Sequence, residues 1–156
     1  MAKLESLRDL LLDELKDLHS AENQILQALP VMAHQASSPE LKAAFEEHLR
    51  QTEEQVRRLE DISGRVGKPL TGKKCAAMEG LLKEGKEIIN EGGDPSVVDA
   101  ALITAAQKVE HYEISGYGSA RTHARQLDLD AIADLLEDTL DEESDTDEKL
   151  TSLAKD

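Results

Sequence analysis

Polar and charged side chains interrupt four helical patterns of apolar residues, each near the middle of its pattern. They are Glu22, His48, the pair Glu110 and Glu113, and Glu143. A carboxylate that is buried alone costs several kcal/mol or takes up a proton, so it must be paired, hydrogen-bonded or bound to a cation. Four helices that each direct such a group into one core predict a bundle built around metal ions.

A centre of two iron or manganese ions requires this supply of ligands. Carboxylates bridge hard cations and cancel their charge, while nitrogen or further oxygen atoms complete each coordination sphere. Glu110 and Glu113 lie three residues apart, which places both carboxylates on one helix face. We predict two iron ions per chain, with manganese or zinc as alternatives, and six candidate ligands: Glu22, His48, Glu110, Glu113, Glu143 and Asp147. No catalytic residue is predicted.

The ligand pattern departs from the usual one. Di-metal carboxylate bundles carry Glu-x-x-His on two helices, whereas here His48 precedes Thr52 and Gln55 on its stripe, and Glu143 is followed by Thr146 and Asp147. His48 is either a ligand or a hydrogen-bonded core histidine, and Thr52 and Gln55 are interpreted as supporting residues. A glutamate on a helix is more often exposed, and we expect solvated side chains at Glu14, Glu142, Asp145 and Glu148.

Three- and four-residue spacing of apolar residues predicts four long helices and one short helix. Ser38-Pro39 and Asp94-Pro95 each combine an N-cap with a proline at the first helical position. Pro30 is expected to kink or loosen the last turn of the first helix. The break near Leu127 has no glycine or proline, so Asp128 or Asp130 is the candidate cap. The helices are predicted at about Leu4–His34, Pro39 to the Gly64–Pro69 region, Ala76–Asn90, Pro95 to about Leu127, and Asp130–Ala154.

This order predicts an all-α, ferritin-like four-helix bundle, with the short extra helix in the crossover, as a single domain over residues 1–156. Two helical hairpins joined by a long connection are typical of that variant. Glu22 and Thr52 each lie 15 residues from the first turn near Ser37. Glu110 and Glu143 lie 17 and 16 residues from the second turn. At about 1.5 Å per residue, the polar sites fall at one level of the core.

The net charge of −15, from 33 acidic and 18 basic residues, argues against two classes of partner. Such a surface repels phosphate backbones and anionic lipid, so we expect neither nucleic-acid nor membrane binding. No stretch approaches the roughly twenty apolar residues of a membrane span, and the N-terminus lacks a signal-peptide pattern. The single cysteine, Cys75, cannot form an internal disulfide. A cytoplasmic protein is the expectation.

Further residues on the third long helix lie beside the candidate ligands. Tyr112 and Tyr117 are interpreted either as hydrogen-bond donors to metal-bound carboxylates or as core residues, with Tyr117 favoured as a donor because it shares the stripe. Gly116 and Gly118 each cost roughly 1 kcal/mol relative to alanine. They indicate either a π-bulge or close helix approach, or simple tolerance in a packed helix.

Four runs of the sequence are distinctive: Ser20–Glu22 (SAE), Lys74–Leu81 (KCAAMEGL), Asp99–Leu102 (DAAL) and Ala105–Ile114 (AAQKVEHYEI). With these runs, the chain resembles the bacterial YciF-like stress-protein family of the ferritin-like superfamily. The resemblance implies a homodimeric bundle with a rubrerythrin-like dinuclear site. In it, Glu22 is the first-helix ligand, Glu110 and Glu113 the third-helix pair, and Glu143 the fourth-helix ligand.

Thr146 stands where rubrerythrin-like sites have a histidine, three residues after the fourth-helix glutamate. Two classes of function follow from the resemblance. One is a di-iron oxidoreductase that handles peroxide or oxygen during stress. The other is a non-catalytic stress protein in which the metal or the inward carboxylates only stabilise the bundle or dimer.

Overall fold

Five helices make up most of the computed structural model, which describes residues 3–156. The first two long helices form one hairpin and the last two form another, and the hairpins pack through α1 against α4 and α2 against α5. The short helix α3 lies in the connection and packs on α4 and α1. The predicted ferritin-like bundle with a crossover helix is therefore confirmed. The helices are α1 Leu7–Gln35, α2 Pro39–Val66, α3 Ala76–Glu91, α4 Pro95–Gln126 and α5 Asp130–Lys155.

Two of the predicted helix starts are confirmed by their capping bonds. Ser38 Oγ accepts a hydrogen bond from the backbone N–H of Leu41 at 3.3 Å, and the Asp94 carboxylate accepts from two backbone N–H groups of the first turn of α4. α1 begins three residues later than predicted, because Ser6 is its N-cap and accepts from the N–H of Asp9. α1 also continues past Pro30 to Gln35, so this proline does not end the helix.

The turn between α4 and α5 differs from the prediction that Asp128 or Asp130 caps a helix. The N-cap position of α5 is Leu129, which makes no side-chain capping bond. Instead, Asp128 adopts a left-handed conformation with φ of 58°, which aspartate tolerates better than most residues. The N–H of Leu129 bonds the carbonyl of Ala124 at 2.9 Å, and the N–H of Asp128 bonds that of Arg125 at 3.0 Å. This is a Schellman closure of α4.

The core is divided along the bundle axis into two apolar clusters. One, at the end where α1 passes into α2, includes Ile25, Phe45 and Leu102. The other, at the opposite end, includes Leu15 and Leu59 among its buried members. The buried polar side chains lie between these clusters in the sequence of every long helix. Across residues 3–156, none of the helices combines the length and the hydropathy needed to cross a membrane.

Candidate metal centre

Four helices bring five ionisable side chains into one buried layer. α1 supplies Glu22, α2 supplies His48, α4 supplies Glu110 and Glu113, and α5 supplies Glu143. Their exposed fractions are 0% for Glu22 and Glu143, 1% for Glu110 and Glu113, and 5% for His48. The surrounding apolar stripes force this burial, since turning any of these residues outward would expose the leucines and isoleucines beside it.

The five side chains form two overlapping groups that could each hold one cation. His48, Glu110 and Glu143 make the first group, and Glu22, Glu113 and Glu143 make the second. In each group the potential ligand atoms lie within 4.8 Å of one another. Two ligands on opposite sides of a metal ion with bonds of about 2.1 Å are about 4.2 Å apart, so each group has the dimensions of a coordination sphere. Glu143 belongs to both groups.

Most oxygen atoms of this layer have no hydrogen-bond partner within residues 3–156. This holds for both carboxylate oxygens of Glu22, Glu113 and Glu143, and for Oε2 of Glu110. Proteins leave few buried polar atoms unpaired, because each one costs about 1–3 kcal/mol. Four carboxylates carry a charge of −4 when ionised, which two divalent cations would balance. The ligand atoms therefore fit a pair of divalent ions.

The contact between His48 and Glu110 also suits metal binding. His48 Nε2 lies 2.9 Å from Glu110 Oε1, but the pair does not meet hydrogen-bond geometry, and Nε2 has no partner on residues 3–156. Two ligands at right angles on one ion with bonds of about 2.1 Å are about 3 Å apart. The separation is therefore compatible with two atoms that face a common ion, although 2.9 Å is also an ordinary ion-pair distance.

Burial sets the protonation of the carboxylates. Removal from water raises the pKa of Glu22 to about 7, and the nearby charge of Glu143 adds to the effect. Burial likewise raises the pKa of Glu110 to about 7, with a further contribution from Glu22. Burial followed by neighbouring carboxylates raises the pKa of Glu113 and of Glu143 well above the usual range. Without cations, the layer holds protons near neutral pH.

The two tyrosines of α4 have different surroundings. Tyr117 is buried, and its hydroxyl has no hydrogen-bond partner in residues 3–156. Burial, and then the charges of Glu22 and Glu113, raise its pKa, which places it beside the layer as the sequence suggested. Tyr112 instead donates a hydrogen bond to Asp17, and its hydroxyl lies 3.1 Å from Cys75 Sγ. The sequence left two interpretations of Tyr112 open, and its hydroxyl bonds Asp17, which belongs to neither ligand group.

A polar network between α2 and α5 supports the layer from one side. Arg58 contacts the two carboxylate oxygens of Glu142 at 2.7 and 2.9 Å, and it also donates to Thr139 Oγ1 at 3.2 Å. Gln55 donates to Glu142 at 3.2 Å. The side chain of Glu142 is only 28% exposed, so the prediction that it is solvated was wrong. Sequence spacing gave no signal for this network, because its partners are more than 80 residues apart.

Three other residues flagged in the sequence lie outside the two groups. Asp147 Oδ2 lies 3.2 Å from Nε2 of His111, although Asp147 is close enough to raise the pKa of Glu110 slightly. Thr146 donates to Gln51 at 3.2 Å. Thr52 donates to the backbone carbonyl of His48 at 2.7 Å, which ties the supporting residue to the candidate ligand.

The remaining expected surface acids divide into two kinds. Asp145 and Glu148 are exposed, as predicted. Glu14 is not fully solvated, because its side chain is 21% exposed and lies 2.9 Å from Nδ1 of His123.

α4 remains a regular α-helix through Gly116 and Gly118, without a π-bulge. A Cβ atom on Gly116 would lie 2.8 Å from Leu18 Cδ2, whereas one on Gly118 would meet nothing within 4 Å. Close helix approach is therefore found at Gly116 alone.

Comparison with known proteins agrees with this architecture. Residues 6–156 match the family model described as "Domain of unknown function (DUF892)". The chain belongs to the DUF892 family. It is 43% identical over 152 residues to the protein YciF of Escherichia coli strain K12. The matched region covers 97% of this chain and 92% of that protein. The predicted resemblance to YciF-like proteins is thus confirmed.

Solved structures extend the agreement to the whole fold. The crystal structure described as the E. coli stress protein YciF matches with a TM-score of 0.93, covering 96% of this chain and 95% of that one. A second relative, YcfI from Rhodopseudomonas palustris, is 39% identical and matches with a TM-score of 0.92, over 96% and 95% of the two chains. A Xanthomonas campestris protein at 21% identity matches with a TM-score of 0.77, over 96% and 90%, and shares the fold. This DUF892 protein is therefore a stress-protein relative with a buried carboxylate and histidine layer.

Proposed function

We propose that this DUF892 protein binds two divalent first-row metal ions, iron foremost, in the buried layer, and that the centre serves a stress-related metal-binding or redox role. The observation that carries the proposal is the set of unpaired oxygen atoms on four buried carboxylates, arranged in two groups of ligand size. Oxygen-rich ligand sets with one imidazole suit iron and manganese, with zinc as a further candidate. The description of E. coli YciF as a stress protein supports the physiological part.

The side chains have distinct roles in this proposal. Glu22 and Glu113 would hold one ion, His48 and Glu110 would hold the other, and Glu143 would contact both. Bound iron would supply one-electron chemistry with oxygen or peroxide. The apolar clusters on either side of the layer exclude water, which strengthens the attraction between the carboxylates and any cation.

Binding of a cation to this layer is coupled to release of protons from it. The carboxylates with raised pKa must lose their protons before they can act as ligands, so metal binding releases protons at neutral pH. The Tyr117 hydroxyl has no partner among the described residues and lies beside Glu22, so in this proposal it would donate a hydrogen bond to that carboxylate. Such bonds orient a ligating carboxylate.

A non-catalytic role is the second candidate, and one observation favours it. Thr146 replaces the histidine expected in rubrerythrin-like sites, and its hydroxyl bonds Gln51 outside the two groups. With fewer nitrogen ligands, the centre would mainly cross-link the two hairpins or stabilise a homodimer. The enzymatic alternative remains a rubrerythrin-like peroxidase or oxidase. In either case we propose a homodimer that acts in the cytoplasm.

Metal analysis tests the proposal. Protein purified without chelator and reconstituted anaerobically with ferrous ion should contain about two ions per chain. Glu143→Gln should lose more than one ion because both groups share this carboxylate, while the exposed Glu148→Gln should retain both. Equal metal content in the two variants, or no metal in the wild type, would contradict the proposal. Catalytic consumption of peroxide by the iron-loaded protein would then favour the enzyme over the structural role.

A further inference from the structure

A cleft of about 180 Å³, lined mostly by polar residues, lies between α2 and α5 and reaches His48 of the candidate centre. Its outer rim carries Glu47, Asp145 and Lys149, and Gln51 and Thr146 line its wall. The innermost polar residue is His48, which also belongs to the first group of candidate ligands. Among the residues that line this cleft, His48 is the one that also belongs to a candidate ligand group.

The unpaired ring nitrogens of His48 point to a ligand in this cleft. The residue is 5% exposed, and neither ring nitrogen has a hydrogen-bond partner in the described part of the chain. A neutral imidazole has one N–H donor and one acceptor lone pair, and burying both unpaired is costly. Nε2 lies beside Glu110, so a ligand that approaches through the cleft meets a ring already in contact with the buried carboxylates.

We propose that this cleft is the entry site for the divalent cation, with Glu47 and Asp145 attracting the ion and His48 passing it to Glu110. The inference rests on the proposed metal function and adds the route. Two carboxylates at the mouth of a narrow cleft raise the local cation concentration, because low-dielectric walls focus their field.

An ion pair at the rim sets the rate of entry. Lys149 Nζ lies 2.6 Å from Glu47 Oε2, and both side chains are about half exposed. The ammonium group repels an incoming cation and occupies one of the two carboxylates that would attract it. The hydrogen bond from Thr146 to Gln51 spans the same cleft at 3.2 Å and must open or bend for the ion to pass.

The opposite side of the bundle offers a matched comparison. A cleft of about 290 Å³ between α1 and α4 is also acidic, with Asp13 and Asp17 in its lining. Lys73 makes a 2.8 Å ion pair with Asp13 there. Its inner wall, however, includes the buried side chain of Leu18 packed tightly on Gly116. This cleft contains no residue of either candidate group, so acidity alone does not connect it to the centre.

Rates of cobaltous-ion uptake by the full-length, metal-free protein test the route. The visible absorption of bound cobaltous ion reports loading without any need for enzymatic activity. Lys149→Met and Lys73→Met each change the net charge from −15 to −16, so they are matched in overall attraction. We expect Lys149→Met to load about threefold to tenfold faster than Lys73→Met at low ionic strength, with equal final occupancy, and the difference to shrink in salt.

The reverse substitutions sharpen the test. Glu47→Gln with Asp145→Asn leaves Lys149 unpaired and should slow loading severalfold, while the final metal content stays unchanged. Equal rates for the two lysine variants, or faster loading by Lys73→Met, would overturn the entry route while leaving the metal centre in place. No cobalt binding by the wild type would overturn the proposed function and this inference with it.

Discussion

Replacing Glu110 by glutamine should change how the stability of the metal-free protein depends on pH. Glu110 has an ordinary carboxyl pKa of 4.5 when unfolded, and burial raises it to about 7 in the fold. Below about pH 4.5 the side chain is protonated in both states. Between that pH and 7 only the folded state keeps the proton, so the free energy of unfolding falls as the pH rises.

The size of this loss follows from the shift. Burial raises the pKa of Glu110 from 4.5 to about 7, and because one pKa unit corresponds to about 1.4 kcal/mol, the loss is roughly 3–4 kcal/mol, complete somewhat above pH 7. That is a large share of the 5–15 kcal/mol typical of a domain. Glu22, with a pKa also raised to about 7, acts in the same direction. Glutamine at position 110 keeps the shape of the side chain but cannot ionise.

Urea unfolding followed by far-ultraviolet circular dichroism, in chelator at pH 5 to 8, measures the effect. Glu110→Gln should resemble the wild type at pH 5 and exceed it by up to roughly 3–4 kcal/mol at pH 8. Glu148→Gln, an exposed control, should follow the wild-type slope. A metal-free wild type whose stability is flat or rises between pH 5 and 8 would refute the argument. So would a Glu110→Gln variant with the wild-type slope.

Two other predictions concern the same layer and its packing. Adding manganous or ferrous ion at neutral pH, at a hundred to a thousand times its dissociation constant, should stabilise the protein by about 3–4 kcal/mol and raise the Tm by about 10 °C. The rise should be smaller at pH 5, where protons compete; an unchanged Tm at neutral pH would favour a purely structural layer. Gly118→Ala should stabilise the protein by about 0.5–1 kcal/mol. Gly116→Ala should lose that gain because its methyl group meets Leu18 at 2.8 Å. Equal stability of the two variants, by chemical denaturation, would contradict close approach at Gly116.

Helical periodicity predicted the fold and the inward positions well. The apolar stripes identify which face of each helix is buried, and a glutamate on that face is noticeable because cores exclude unpaired charge. Ser38-Pro39 and Asp94-Pro95 marked their helix starts because capping depends on neighbouring residues only. Glu22 and Glu143 could thus be assigned to the core before any contact was known.

Helical periodicity could not predict contacts between residues that are far apart in the sequence. The spacing of Glu142 gives its angular position on α5, but its burial depends on Arg58, 84 residues earlier in the chain. The role of Tyr112 stayed open for the same reason, since Asp17 on another helix accepts its hydrogen bond. The closure at Asp128 was missed because the left-handed conformation of a non-glycine residue has only a weak sequence signature.

The distribution of the candidate ligands between the hairpins bears on the order of folding. The first hairpin carries Glu22 and His48, and the second carries Glu110, Glu113 and Glu143, so each group of ligands draws on both. Neither group exists until the hairpins have docked. An ion held here would therefore bind only the docked bundle, and it would have to dissociate before the hairpins could separate, which slows unfolding. The lifetime of the folded state, more than the speed with which it forms, would then depend on the supply of metal in the cell.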